Sequence, residues 1–162
     1  MSSTMLSDLV DTNSLDALRG AVVDVTERSF FAAADPLAEL PDPSGDTSVW
    51  FTATVGFKEA GCAGVVACLL PQRLARELFD AFHGREPSDP PPGGDDLFDL
   101  VGEFANMVCG AWLTRTADGL AFALSRPVVE AAARQTAFSE RDGAQILMQV
   151  NDLPLVVMIA RA

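Results

Sequence analysis

Apolar and polar positions change rhythm several times along this chain, and each change marks an expected element. Leu15, Leu18, Val22 and Val25 recur at helical spacing, predicting a helix over Ser14–Ala33 with Asn13 or Ser14 as its cap. Asp35–Asp46 holds three prolines, Ser44 and Gly45, and reads as a loop with a short edge strand at Leu37–Leu40. From Thr47 to Phe57 the period becomes two, with Val49, Phe51, Ala53, Val55 and Phe57 on one side. A turn at Lys58-Glu59-Ala60-Gly61 leads into a near-continuous apolar strand, Cys62–Leu70. The two strands form an antiparallel hairpin. Pro71 suits the first turn of a helix, Leu74, Leu78, Phe79 and Phe82 give it one apolar stripe, and Gly84 ends it.

Arg85–Gly94 contains four prolines and two glycines, a loop too short to divide domains. A long helix follows over Asp95–Thr114. Leu120–Val129 reads as a strand that Pro127 breaks or bulges, and Glu130–Ala137 stays open between helix and strand. Ala144–Val150 and Leu153–Ala160 form a terminal hairpin across Asn151-Asp152. The order implies an α+β fold, an antiparallel sheet with helices packed on it. A helix followed by strands occurs twice, an approximate internal duplication. Residues 1–12 read as a flexible leader and 13–162 as a single domain.

The long helix carries the candidate chemistry. At about 100° per residue, Leu97, Val101, Phe104, Val108, Ala111 and Trp112 fall on one face, the core side. Asp99, Glu103, Asn106 and Gly110 fall on the other, at spacings of four, three and four, forming one outward stripe. Pattern alone reads such a stripe as a solvated face. Two residues argue for more. Asn106 is a poor helix former, and Gly110 costs about 1 kcal/mol against alanine in a helix interior. A bare glycine on an exposed face leaves room for another surface. Met107 and Leu113 flank the stripe and offer apolar contact to a partner.

The stretch Asp99-Leu-Val-Gly-Glu103-Phe-Ala-Asn106-Met-Val-Cys-Gly110 resembles the signature helix of the CheC/CheX/FliY family of response-regulator phosphatases: an acid or serine, three residues, Glu, two residues, Asn, and often Gly four further on. The surrounding order of hairpin, Pro-started helix, loop, helix and a strand with Leu124-Ser125-Arg126-Pro127-Val128-Val129 is similar too, from about Leu18 to Ala160. The resemblance implies a sheet of about six antiparallel strands with long helices against it. It also implies a cytoplasmic role in chemotaxis-like or two-component signalling. Family members carry one or two such helices. Aligning Glu27 with Glu103 sets Phe30 at the asparagine position and Val23 at the acid position, so the first helix should be a silent copy. The single site resembles CheX-like members, which are similar in being dimers, so a homodimer is expected.

The activity so implied is hydrolysis of the phosphoaspartate of a CheY-like receiver domain. Glu103 and Asn106 are the expected catalytic residues; Asp99, Met107 and Gly110 are the expected partner contacts. The receiver is expected to supply Mg²⁺ and a lysine, and this chain no metal or cofactor of its own. Asn106 would orient a water in line with phosphorus, as a water-orienting glutamine does in small GTPases, and Glu103 would pair with the receiver lysine. Asp99 either extends that contact or favours the helix N-terminal region.

Composition narrows the partners further. The net charge is -12 and Lys58 is the only lysine, so a phosphate backbone is repelled and nucleic acid is not an expected partner. No apolar run approaches the roughly 20 residues of a membrane span. Cys62, Cys68 and Cys109 fit three buried thiols in a reducing compartment. Trp50 and Trp112 are expected in the core. His83, the single histidine, lies in the last turn of its helix and reads as structural. Asp42, Asp46, Asp95 and Asp96 read as loop and cap acids. No zinc spacing, P-loop, dinucleotide fingerprint or nucleophile elbow is present. Two other functions stay open: a silent adaptor of the same fold that binds a receiver or dimerises without turnover, and a flagellar-switch-like structural subunit.

Overall fold

The computed structural model describes residues 11–59, 62–116, 122–138 and 143–161. The chain opens with helix α1 (Thr12–Phe30) and the short strand β1 (Ala34–Pro36). Strands β2 (Val49–Glu59) and β3 (Cys62–Pro71) follow, then α2 (Gln72–His83) and α3 (Gly94–Thr116). The chain continues through β4 (Ala123–Leu124), β5 (Val128–Ala133), the single turn α4 (Arg134–Ala137), β6 (Ala144–Val150) and β7 (Leu153–Arg161). The seven strands form one antiparallel sheet in the order β1-β6-β7-β3-β2-β4, with β5 also paired to β2.

β4 and β5 are one strand interrupted. β4 pairs with Phe57 and Lys58 and β5 with Val49–Thr54, both along the outer side of β2. Pro127 cannot donate to a ladder, and the break expected there is present. Ser125 bridges it: its Oγ accepts from the Gly56 N–H at 2.8 Å, and its own N–H donates to the Gly56 carbonyl at 2.8 Å. Counted as one interrupted strand, β4 and β5 make the sheet six-stranded, as expected. Beyond Pro127 the strand runs on to Ala133, so the first half of the stretch left open in the sequence, Glu130–Ala133, is strand, and the second half, Arg134–Ala137, is helical.

The alternation of β2 separates two cores. Phe51, Ala53, Val55 and Phe57 face the helices; Trp50 faces the other side with Ala67, Leu69, Val156 and Met158. Val49, expected on one side with these four, is exposed at the strand's start. α1, α2 and α3 cover the first face. α4, Phe138 and Leu40 close over the second. Arg134 sits in that second layer, 6% exposed. It pairs with Asp46 at 3.4 Å, donates to the Pro41 carbonyl at 2.6 Å, and lies over the Trp50 ring at 5.6 Å. The loop from Pro36 to Asp46 is thereby fastened to the sheet.

Several boundaries shift from the sequence reading. α1 is capped by Asp11, whose carboxylate accepts from the Ser14 N–H at 2.7 Å, so neither Asn13 nor Ser14 is the cap. The helix thus begins inside the expected leader; residues 1–10 lie outside the described residues. It ends at Phe30 because Phe31 turns left-handed (φ 52°). The edge strand is Ala34–Pro36, upstream of the expected Leu37–Leu40. Lys58 and Glu59 belong to β2, while Ala60 and Gly61 of the expected turn lie outside the described residues. Gly84 ends α2 at φ 63°. The terminal hairpin turns at Asn151 and Asp152, with φ 49° and 66°, the tight turn whose twist matches paired strands. All three cysteines are buried and free, and both tryptophans are buried.

Candidate functional site

α3 begins at a glycine pair. The Gly93 carbonyl accepts from the Leu97 N–H at 3.2 Å, and the Gly93 N–H donates to Asp96 Oδ2 at 3.1 Å. This closes the first turn as half of a capping box. The inner face of the helix is rooted in aromatic contacts. Phe98 meets Phe51 at 5.5 Å, Phe104 meets Phe30 at 5.4 Å, and Trp112 meets Phe57 at 5.5 Å, all edge-on. Trp112 Nε1 also donates to the Ser14 carbonyl at 3.1 Å. Near its C-terminal end, Arg115 pairs with Asp24 of α1. A helix held in this way along its length presents the opposite face as a fixed surface.

On that face Asp99 and Glu103 are exposed, while Asn106 and Gly110 are half-buried. Among the described residues, the side chains of Asp99, Glu103 and Asn106 form no hydrogen bond or ion pair with another residue. Glu103 and Asn106 are one turn apart, where side-chain origins lie about 5–6 Å from each other. A carboxylate and an uncharged amide therefore stand side by side, turned outward. Nothing lies within 4 Å of where a Cβ on Gly110 would be.

Met107 is half-buried, packed partly on the core. Leu113, expected to flank the stripe in the open, is buried at 6% exposure because it turns into the core. Its edge still lines a shallow groove with Gly110, Thr114, Phe122 and Leu124. Phe30, at the asparagine-equivalent place on α1, is fully buried and offers no polar group to the surface.

Two further grooves flank the acidic end of the stripe, and Asp99 and Glu103 line both. One is walled by Phe98, Gly102, Pro127 and Val129. The other, about 360 Å³, runs between α2 and α3 and is lined by Phe79, Phe82, His83, Asp96 and Leu100. The sequence reading missed several of these residues. Phe82, assigned to the apolar stripe of α2, is 43% exposed. His83 is exposed, with its ring 4.3 Å from Phe79. Asp96, assigned as a cap acid, caps the helix and also faces the groove. Its spacing of three before Asp99 was the available signal. Gly102 is buried because the Pro127 segment lies against it: an added Cβ would stand 3.2 Å from Pro127 Cβ. Among the described residues, no group of three or more His, Cys, Asp or Glu side chains is placed to hold a metal ion, and no helix is long and apolar enough to cross a membrane.

Similar solved structures include chemotaxis proteins. CheX from Vibrio vulnificus is 20% identical, with a TM-score of 0.67 over 92% of this chain and 96% of that one. CheX from Desulfovibrio desulfuricans is 17% identical, with a TM-score of 0.66 over 93% and 99%. CheX from Borrelia burgdorferi, solved in complex with CheY, BeF3 and Mg, is 14% identical, with a TM-score of 0.61 over 91% and 96%. No curated protein matches the chain. The fold is that of the CheX and CheC-like proteins. A family model, chemotaxis phosphatase CheX, matches residues 51–150, and the chain belongs to that family.

Proposed function

We propose that this protein stimulates hydrolysis of the phosphoaspartate on a CheY-like receiver domain. The observation that carries the reading is the outward pair Glu103 and Asn106, one turn apart on a rooted helix and without partners among the described residues. A phosphoaspartate is an acyl phosphate, and its receiver supplies the Mg²⁺ in this reading. The added requirement is a water held in line with phosphorus. The Asn106 amide both donates and accepts and does not titrate, so its contribution is position and polarity. The water oxygen bonds to phosphorus and the P–O bond to the aspartyl carboxyl breaks. The electron pair stays on that carboxylate and the water protons leave with phosphate.

Glu103 pairs with the receiver lysine and sets the register of docking. Asp99 extends the acidic contact, and bare Gly110 lets the receiver surface approach the helix, with Met107 beside it. The Borrelia burgdorferi relative, solved with CheY, supports a receiver as the partner class. The homodimer belongs to the same reading: β5 lies on the outer side of β2 with Val128 61% exposed, and an open strand edge is a template for pairing. Sedimentation of the purified chain tests it, and a monomer at all concentrations removes it.

The test of function is phosphate release from a receiver loaded with acetyl phosphate, with and without this protein. Acceleration by the wild type is expected. Asn106→Ala should abolish it while receiver binding and stability persist. Glu103→Ala should weaken binding as well. Binding without acceleration by the wild type would leave the silent adaptor as the function. Full activity in Asn106→Ala would remove the amide from the mechanism.

A further inference from the structure

The groove between α2 and α3 is built from two unlike materials. Phe79, Phe82 and Leu100 give it apolar walls, and Asp96, Asp99 and Glu103 give it a row of carboxylates. His83 completes the lining. Twice this chain joins aromatic rings and a carboxylate through an arginine of its own, once away from the groove and once at its Phe79 wall. Arg134 lies over Trp50 and Phe138 and pairs with Asp46. Arg85 lies 5.2 Å from the Phe79 centroid and pairs with Asp80 at 3.9 Å. In the α2–α3 groove, no residue among those described forms an ion pair with Asp96, Asp99 or Glu103. The three are also not grouped closely enough to hold a metal ion.

We propose that this groove is a specificity pocket that takes an arginine side chain of the partner receiver domain. A guanidinium is planar, lies flat on aromatic faces and forks onto carboxylates. Phe82, at 43% exposure, supplies the ring. The carboxylates recur at spacings of three and four, so they fall within an arc of roughly 40–60° on one helix face and can receive the fork. An ammonium would meet the same charge but lacks the flat surface. The pocket is continuous with the proposed catalytic stripe, because Asp99 and Glu103 belong to both. That continuity favours the docked receiver over a second copy of this chain as the donor. The proposal therefore rests on the phosphatase reading for its partner, though not for its chemistry.

Two measurements keep these apart. In the first, amide NMR spectra of the full chain are followed during millimolar titration with N-acetyl-arginine amide and, separately, N-acetyl-lysine amide. Shifts confined to residues 79–83 and 96–103, larger for arginine and reduced in Asp96→Asn, are expected. Equal shifts for both probes, shifts spread over other acidic surfaces, or none, would overturn the pocket whatever the enzyme does. In the second, phosphate release is measured against receiver concentration. Phe82→Leu, which keeps an apolar side chain where the Phe82 ring stacks on Phe30 at 5.3 Å, and Asp96→Asn, which keeps a cap acceptor, should raise KM about fivefold to tenfold, with the effect on KM rather than kcat. A loss confined to kcat would overturn the proposal. Asn106→Ala should instead lower kcat. An inactive wild type would sink the phosphatase reading while the NMR result still decides the pocket.

Discussion

Phe30 of α1 and Phe104 of α3 meet edge to face with ring centroids 5.4 Å apart. Phe30 stands where the duplicated pattern would place a second Asn106, and it is fully buried. Phe30→Asn should therefore cost about 3–5 kcal/mol, the range for emptying a buried phenyl site, and should add no second active face. Urea unfolding checks the first expectation and phosphate release per chain the second.

Gly102 allows the Pro127 segment to lie against α3. The nearest atoms to an added Cβ belong to a proline ring and to Val129, and the ring cannot swing aside without moving its backbone. Gly102→Leu should destabilise the fold by about 1–3 kcal/mol through overpacking. Its amide shifts should change along β5 and around Glu103, because the displaced segment forms one wall beside that carboxylate.

At Gly110, stability and docking should part company. With open space around it, Gly110→Ala should stabilise the helix by up to about 1 kcal/mol, measured by urea unfolding. Gly110→Leu should also fold, yet weaken receiver binding about tenfold by filling the approach that the bare backbone leaves, as a calorimetric titration would show.

The Asp46 carboxylate gives the protein an acid limb. The Asp46 carboxyl is held below its ordinary 3.8 by hydrogen bonds from the side chain and backbone of Ser48, with Arg134 adding to them. A group lowered by folding contributes stability above its unfolded value and loses it as pH falls through the folded one. Thermal melts should therefore fall below about pH 4, and Asp46→Asn should flatten that decline. Arg134→Met should cost about 1–2 kcal/mol, since it removes a buried charged donor from two partly exposed acceptors, Asp46 and the Pro41 carbonyl. It should also expose the Pro36–Asp46 loop to limited proteolysis, while the distant α3 face keeps its activity.

Periodicity revealed the elements whose two faces meet different surroundings. α3 was legible to within two residues at each end, because its inner face is uniformly apolar. The β6–β7 turn was legible because Asn-Asp tolerates left-handed backbone. Positions governed by distant contacts were hidden. β5 reads weakly because Val128–Ala133 is largely exposed and alanine-rich; its strand character comes from pairing with β2. The start of α1 was misplaced because several polar residues in succession can cap, and only the backbone decides among them. For the candidate site, spacing along one helix gave the stripe. The groove walls come from α2 and from Pro127, tens of residues away in each direction, and no local pattern joins them to Glu103.

The two walls of the α2–α3 groove are also neighbours along the chain, joined by residues 85–93 with prolines at 87, 90, 91 and 92. Arg85 fastens one end of this tether, donating to the Pro90 carbonyl while lying over Phe79. A stiff, pinned strut of this kind limits the gap between the helices. An incoming protein then meets an opening of ready-made width, with little conformational freedom left to surrender on contact.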